Sequence, residues 1–248
     1  MVSSKAQLAL RIKTIGFLNS FRIPQFHTYQ RTLPFPSKTT VGGFLGAALG
    51  YGEQETTELL KYIKVSVVGL DVMQWGIAKD LWRYLKFKGK VLEDKDIVVR
   101  ELLYTPKYYL YVSGKHETLE EIKNALSDPA WALSLGREDE MVLVKEIKPV
   151  RLLPSEDLVY ENTILPFNVY ETSFELEKDF LRANLRERSR LIPPSVHKLP
   201  TTFTITKKGR EPEGYIEFSF IYNLRIRLKQ LKPGYQPLTD GLHNIQLF

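Results

Sequence analysis

The order of strands and helices predicted for the first 150 residues restricts the fold of this chain more than any other feature. Leu8, Leu10 and Ile12 alternate with polar or small residues, which is the pattern of a half-buried strand. Five further elements follow as helix, strand, strand, helix and strand, at residues 37–50, 65–73, 107–113, 118–126 and 141–144. This mixture of helices and strands favours an α+β fold.

The six elements have the order of the ferredoxin-like split βαβ fold, βαββαβ, which is also the core of RNA-recognition modules. The sequence therefore predicts an α+β chain with a ferredoxin-like (RRM-like) RNA-binding domain over residues 1–150. After Pro149 the chain has more prolines, short extended runs and no strong helical period. A β-rich C-terminal region is therefore predicted over residues 151–248.

The segment between the second and third predicted strands combines cations with aromatic rings and does not fit the core. Its cations are Lys79, Arg83, Lys86, Lys88 and Lys90, its rings are Trp75, Trp82, Tyr84 and Phe87, and its one acid is Asp80. In single-stranded nucleic acid binding, cations contact phosphates and rings stack on bases. We expect a projecting insertion that contacts RNA, in preference to a solvated hairpin whose rings face the core.

Composition excludes several classes of function. Cysteine is absent, which excludes a disulfide scaffold, a zinc–cysteine site and a cysteine nucleophile. No two of the 4 histidines form a zincin-like pair, so neither a metal nor a small-molecule cofactor is expected. No apolar run reaches the roughly 18 residues of a membrane helix, and the N-terminus lacks a continuous hydrophobic segment. We expect a soluble cytoplasmic protein.

The balance of charge points to a polyanionic partner. The chain has 35 Lys and Arg against 29 Asp and Glu, a net charge of +6. One cluster of cations consists of Arg182, Arg186, Arg188 and Arg190, and a second consists of Arg225, Arg227 and Lys229. For the first cluster, an RNA-contacting loop and an ion-pairing surface toward a partner subunit both stay open. We interpret the second cluster as an exposed sheet face.

The helix predicted over residues 37–50 has one apolar face and one glycine face. Its apolar residues recur at helical spacing and are Val41, Phe44, Leu45, Ala48 and Leu49. Gly42, Gly43 and Gly46 lie opposite them, although each helical glycine costs about 1 kcal/mol relative to alanine. Close approach by another backbone or by a ligand is the usual reason for such glycines.

The N-terminus of this helix is a candidate phosphate site. Ser37 is a good N-cap, and Lys38 lies beside free N–H groups whose dipole favours an anion. The segment is not a nucleotide-hydrolysis loop, because Thr32 and Ser37 stand where the G-x-x-x-x-G-K-[ST] pattern needs glycines. A phosphate site and a plain capped helix with one solvated lysine both stay open.

A ribonuclease site is the alternative that the sequence offers to simple RNA binding. His116 is a candidate general acid or base, Lys115 a candidate to stabilise phosphorane charge, and Tyr51 a candidate to position the nucleophile. We favour a polar turn at residues 113–117, because turns of this composition are common and neighbours in an extended segment point to opposite faces. No catalytic residue is expected; the alternative is a metal-independent endoribonuclease.

Several stretches of the first 140 residues resemble the CRISPR-associated Cas-five family in their order and spacing. The opening stretch contains Ser20-Phe21-Arg22, then His27, then TLPFPSKTTVGGFLGAALG. Val99-Arg100-Glu101-Leu102-Leu103 precedes a Tyr-rich strand and looks like the segment after the family's thumb. Asp128-Pro129-Ala130-Trp131 leads to Leu135-Gly136-Arg137-Glu138, which is similar to the family's Leu-Gly-Arg signature. Beyond residue 150 the resemblance is limited to a β-rich region.

The resemblance implies a non-catalytic RNA-binding subunit of a type I CRISPR surveillance complex (Cascade), which acts in antiviral defence. Such a subunit belongs to the repeat-associated mysterious protein (RAMP) superfamily and has a ferredoxin-like domain with an inserted β-hairpin thumb. It grips the 5′ handle of the CRISPR RNA, caps the Cas-seven backbone and docks against the large subunit. One branch of the family instead cuts precursor RNA with a Tyr, Lys and His constellation.

The resemblance also implies positions for RNA contacts. The thumb would span about residues 75–98. The expected RNA-contacting residues are Arg22, His27, Lys38, Gly42, Gly43, Arg83, Lys86 and Lys88. The resemblance leaves Arg137 open as either a structural or an RNA-facing residue.

Overall fold

The computed structural model describes residues 6–185, 192–207 and 209–248. The α-helices are α1 (Lys38–Leu49), α2 (Glu53–Tyr62), α3 (His116–Ser127) and α4 (Lys178–Leu185). The strands up to residue 113 are β1 (Gln7–Gly16), β2 (Leu18–Asn19), β3 (Tyr29–Gln30), β4 (Lys64–Leu70), β5 (Gly76–Lys88), β6 (Val91–Tyr104) and β7 (Lys107–Ser113). The later strands are β8 (Val142–Pro154), β9 (Val159–Leu165), β10 (Phe174–Leu176), β11 (Ser195–Leu199), β12 (Thr202–Thr206), β13 (Gly209–Glu213), β14 (Ile216–Leu228), β15 (Leu238–Thr239) and β16 (Asn244–Ile245).

A mixed α/β fold dominated by one antiparallel sheet results. Ten strands form this sheet in the order β10, β14, β9, β4, β7, β1, β8, β15 and β16, with β11 paired to β14. Most strands after residue 150 therefore continue the sheet that β1, β4, β7 and β8 begin, whereas β12 and β13 pair with each other in a separate two-stranded sheet. Residue 150 itself lies inside β8. The division into two regions at that residue stays a prediction.

Helix α1 begins and ends where the sequence indicates. Ser37 Oγ accepts a hydrogen bond from Thr40 N at 3.4 Å, and Gly50 closes the C-terminus with a φ of 73°. The apolar residues predicted at helical spacing, such as Phe44 and Leu45, are buried against the sheet residues Leu10 and Ile12 in the main core. The helix is therefore fixed by its cap at one end and by burial along one face.

The C-terminal segment covers part of the opposite face of the sheet. Arg11 Nη1 and Tyr111 Oη each donate a hydrogen bond to Asp240 Oδ2, at 2.8 and 2.9 Å. Burial opposes ionisation of Asp240, but the backbone N–H groups of His243 and Leu242 and the two side-chain donors outweigh it, so the Asp240 pKa lies below its ordinary value. This buried carboxylate fastens the segment to the sheet.

The basic aromatic segment forms a long hairpin from β5 and β6, which turns at Gly89 with a φ of 63°. The two strands stay paired as far as Gly76 and Tyr104, so the hairpin extends beyond residue 98. Short strands β2 and β3 pair with β6 near its end. No helix in the described part of the chain is both long and apolar enough to cross a membrane.

Trp75 is buried in the core, so its placement on the projecting surface from the sequence is wrong. Its side chain packs edge-on against Phe35 and Tyr108 and contacts Tyr222, with 9% of its surface exposed. It lies one residue before β5, where the chain still runs through the core. The ring therefore anchors the base of the hairpin.

Candidate nucleic-acid interface

A cavity of about 240 Å³ lies where the loop after β2, the start of α1 and the loop after α3 meet. Its polar lining comes from the guanidinium-bearing residues Arg22 and Arg137 and from the hydroxyl residues Ser37, Thr39 and Thr40. Apolar residues, including Leu199, form part of its wall. The cavity thus combines two cations, helix-terminal hydroxyls and an apolar surface, a set that suits a phosphorylated ligand.

Arg22 is exposed at one side of this cavity. Its Nη2 lies 3.4 Å from Nδ1 of His27, the other candidate RNA contact in the same loop. Within the described residues, no carboxylate lies within ion-pairing distance of Arg22. Its guanidinium donors therefore face solvent, available to an external anion.

Arg137 lies at the other side of the cavity. Its guanidinium donates to Oε1 of Gln30 and lies 5.4 Å from the centre of the Trp82 ring. Burial and the neighbouring cations Arg100 and Arg22 lower the Arg137 pKa from its usual value. Arg137 therefore lies in a partly buried position near two other cations.

Trp82 connects the cavity to the hairpin. The Arg100 guanidinium lies 5.1 Å from its ring centre, and 45% of the residue stays exposed. Arg100 is paired with Asp80, whose Oδ2 accepts from Arg100 Nε at 3.1 Å. We call Arg22, His27, Trp82, Arg100 and Arg137 the arginine surface. It offers cations for phosphates beside a ring that can stack.

The two faces of the hairpin differ in charge. On the first face, Leu81, Arg83 and Leu85 of β5 lie opposite Val99, Ile97 and Lys95 of β6. On the second face, Asp80, Trp82, Tyr84 and Lys86 lie opposite Arg100, Val98, Asp96 and Asp94. Between Leu81 and Leu85 the first face carries cations and apolar side chains without an acid, and the next pair toward the base is Lys79 opposite Glu101. The second is balanced by cross-strand pairs of opposite charge.

The expected RNA-contacting residues of the hairpin therefore lie on two different faces. Arg83 belongs to the first face, and the alternation along β5 places Lys86 and Lys88 on the second. Lys86 lies 3.7 Å from a carboxylate oxygen of Glu93. A single strand of RNA along one face of the hairpin would meet Arg83 or the two lysines, but not all three.

Lys38 is placed beside the cavity but does not line it. Its neighbours Ser37, Thr39 and Thr40 supply the lining at the start of α1. Burial, with a smaller contribution from Lys64, lowers the Lys38 pKa. The local sequence thus locates the end of the helix correctly, but the hydroxyl residues rather than the lysine face the cavity.

The glycine face of α1 is only partly open, and the prediction that Gly42 is approached by RNA is wrong. A Cβ on Gly42 would lie 2.5 Å from Cδ2 of Leu60, and one on Gly46 would lie 2.3 Å from Oγ1 of Thr56. Both glycines permit close packing of α1 on α2, so the space predicted for RNA at Gly42 is filled by the protein itself. A Cβ on Gly43 would meet nothing within 4 Å. Only Gly43 keeps an open approach.

The candidate ribonuclease residues have different surroundings. Tyr51 Oη donates to Glu121 Oε1 at 2.8 Å, and this bond raises the Tyr51 pKa. Lys115 is the N-cap of α3 and His116 its first residue, and both are exposed. Across the ranges described, no hydrogen bond connects Tyr51 to either of them. The same ranges hold no group of three or more His, Cys, Asp or Glu placed to bind a metal.

The structure describes one of the two predicted C-terminal clusters of cations in full and the other only in part. Arg225, Arg227 and Lys229 pair with Glu161, Glu177 and Glu175, at 2.8, 2.9 and 2.9 Å. They therefore form an ion-paired strand face, as expected for an exposed sheet. Arg182 lies 3.6 Å from Asp179. Arg186, Arg188 and Arg190 lie outside the described residues, so that prediction stays open.

Sequence reasoning missed Glu140 and left Arg137 undecided. Glu140 is buried and accepts hydrogen bonds from Ser20 and from the Arg137 backbone. In the sequence it stands in the run Arg137-Glu138-Asp139-Glu140, which is typical of a solvated loop. The preceding Gly136, with a φ of 123°, is the only local sign of a tight turn there.

Comparison with known proteins agrees with the sequence resemblance. Residues 9–210 match the profile of a family described as CRISPR-associated protein (Cas_Cas5). No curated protein matches the chain.

Two solved structures share the fold over nearly the whole chain. A chain of a "CRISPR RNA-guided surveillance complex" is 15% identical, with a TM-score of 0.52, over 93% of this chain and 95% of that one. A "CRISPR protein from Archaeoglobus fulgidus" is 11% identical, with a TM-score of 0.54, over 97% and 98% of the two chains. The profile match covers most of the sequence and confirms the resemblance, and it establishes that the chain belongs to the CRISPR-associated Cas-five family.

Proposed function

We propose that this chain is a non-catalytic, RNA-binding subunit of a type I CRISPR surveillance complex, where it grips the 5′ handle of the CRISPR RNA. The observation that carries the proposal is the arginine surface. Arg22 and Arg137 flank one cavity, and among the residues that the structure describes no carboxylate forms an ion pair with either guanidinium. Trp82 lies beside Arg137 with nearly half of its surface exposed. An RNA strand supplies both phosphates for the cations and bases for the ring.

Family membership and fold support this proposal. The strand order β4, β7, β1, β8 corresponds to the order of a ferredoxin-like sheet, with β5 and β6 inserted as the thumb between its second and third strands. We therefore propose that these four strands form a ferredoxin-like domain. Two structural neighbours carry CRISPR titles, one of them an RNA-guided surveillance complex.

The hairpin supports a role in assembly beside RNA binding. Large apolar side chains are exposed along it, including Leu81 at 68%, Leu85 at 53% and Ile97 at 49%. Exposed apolar patches of this kind mark protein interaction sites. We propose that the first face of the hairpin contacts the adjacent Cas-seven backbone subunit, and that the large subunit docks elsewhere on this chain.

The RNA proposal is tested by measuring the affinity of the purified protein for its repeat-derived handle RNA across a salt series. The logarithm of affinity should fall with the logarithm of salt by about 0.7 per phosphate contact on single-stranded RNA. Replacing both Arg22 and Arg137 by alanine should reduce this slope by about 1.4, two contacts. Lys61→Ala removes one exposed positive charge from α2 and should leave the slope unchanged. An affinity that does not change with salt concentration would contradict the proposal. A slope that is unchanged by the double substitution would contradict it as well.

The assembly proposal has a separate test. Leu81→Ser with Leu85→Ser should abolish co-purification with the backbone subunit and leave binding of free handle RNA intact. Leu143 on β8 is 60% exposed, so Leu143→Ser is a matched control. Equal co-purification of the hairpin variant and the control would reject the first face as the contact.

A further inference from the structure

Glu140 joins two segments that carry the arginines of the candidate site. Its Oε2 accepts from the backbone N–H of Ser20 at 2.7 Å and from that of Arg137 at 3.0 Å. Its Oε1 accepts from the Ser20 hydroxyl. The residue is 3% exposed, so these bonds are shielded from water. Ser20 lies two residues before Arg22, and one carboxylate therefore fixes the backbone on both sides of the cavity.

The surrounding residues leave little freedom at this junction. Asn19 Nδ2 donates to the carbonyl oxygens of Leu135 and Glu140, at 2.8 and 3.0 Å. Gly136 has a φ of 123°, and a Cβ there would lie 2.1 Å from Glu140 Oε2 and 2.6 Å from the Ser20 carbonyl. The loop after α3 and the strand end at Ser20 are thus locked together by buried polar contacts.

Glu140 also affects the charge of the arginine surface without using its donors. Its negative charge raises the Arg137 pKa, against the lowering by burial, Arg100 and Arg22. Its two oxygens are taken by Ser20 and by the Arg137 backbone, while the Arg137 guanidinium donates to Gln30. The carboxylate therefore favours the charged form of Arg137 without occupying the guanidinium donors of Arg22 or Arg137.

We propose that Glu140 is a positioning residue of the RNA site: it holds the backbones at Ser20 and Arg137 so that Arg22 and Arg137 face the same phosphate-binding cavity. This inference rests on the proposed RNA-binding function. It assigns to a buried acid the placement of two cations. It also predicts that removing a negative charge from a basic site weakens the binding of a polyanion, the opposite of what simple Coulomb attraction gives.

The test compares Glu140→Gln with Glu138→Gln, an exposed acid of the same loop. Each variant removes one negative charge near the arginines. We expect Glu140→Gln to bind handle RNA about tenfold more weakly, the scale of one lost charge-assisted hydrogen bond. Glu138→Gln should bind as tightly as the unmodified protein, or more tightly. The salt slope of Glu140→Gln should also fall, by about 0.7 for each arginine that loses its phosphate.

The salt dependence of the affinity distinguishes a positioning role of Glu140 from a merely structural one. Partial unfolding lowers the active fraction, which is measured by stoichiometric titration, and leaves the salt slope of the remaining active protein unchanged. An unchanged slope in Glu140→Gln, with Arg137→Ala lowering it, overturns the positioning role while the RNA-binding proposal stands. If Arg137→Ala also has no effect, the proposed function itself is wrong. A lowered slope in both variants supports both inferences.

Discussion

Gly42 and Gly43 are neighbours on α1, and the structure predicts opposite effects when each is changed to alanine. Both substitutions gain the same helix propensity, about 1 kcal/mol. Gly43→Ala adds a Cβ in open space, so it should raise the free energy of unfolding by about that amount. Gly42→Ala places a Cβ 2.5 Å from Cδ2 and 2.9 Å from Cγ of Leu60, which is 1% exposed. Overpacking of this kind costs about 1–3 kcal/mol.

The shared helix term cancels when the two variants are compared, so their difference isolates the contact with Leu60. Urea denaturation should give Gly42→Ala a free energy of unfolding lower than that of Gly43→Ala by about 1–3 kcal/mol. Equal values would refute the packing argument. A functional arm uses Gly43→Leu, which should keep the unfolding midpoint but weaken RNA binding or complex assembly if a partner approaches there. Unchanged binding and assembly would show that neither RNA nor a partner subunit approaches Gly43 closely.

Three further predictions concern other parts of the molecule. Asp240→Asn should lower the free energy of unfolding at pH 7 by about 3 kcal/mol, because the buried guanidinium of Arg11 loses its carboxylate partner at 2.8 Å and keeps only Glu146 at 3.3 Å. The folded-state pKa of Asp240 is depressed, so thermal unfolding should show this deficit above about pH 4 and lose it as the pH falls further. Trp75→Ala should cost about 3–5 kcal/mol in urea, whereas Trp82→Ala should retain stability and weaken RNA binding by about 1–3 kcal/mol, one stacked base. The protein should not cleave its repeat RNA; metal-independent cleavage that disappears in both Tyr51→Phe and His116→Ala, seen on a denaturing gel, would favour the endoribonuclease instead.

Local patterns in the sequence predict the local elements well. The capped, apolar face of α1 follows from Ser37 and from the spacing of residues such as Phe44. The hairpin follows from a basic run that cannot be buried. Its length was underestimated, because pairing of β5 with β6 down to Tyr104 depends on the other strands that flank the base. Pairing of that kind is non-local and leaves no signal in a window of a few residues.

The candidate site was predicted only in part for the same reason. Arg22 and His27 are close in sequence, and their proximity follows from one loop. Arg137 reaches Trp82 from a segment 55 residues further along the chain, a contact set by tertiary packing. Trp75 and Trp82 read alike in the sequence, yet one lies in the core and the other on the surface. Burial of Glu140 depends on Ser20, and no spacing rule connects the two.

The C-terminal segment fastened by Asp240 has a consequence for how this protein can diversify. It covers Tyr111 and Arg11 on the central strands, the sheet face on which RNA-recognition modules carry their stacking rings. The residues of the arginine surface therefore sit on a loop, a hairpin and the turn after α3, outside the ten-stranded sheet. Substitutions at these positions can change what is contacted without repacking the core. Under the proposed function, engineered changes of specificity should therefore begin at the exposed side chains of the hairpin and loops.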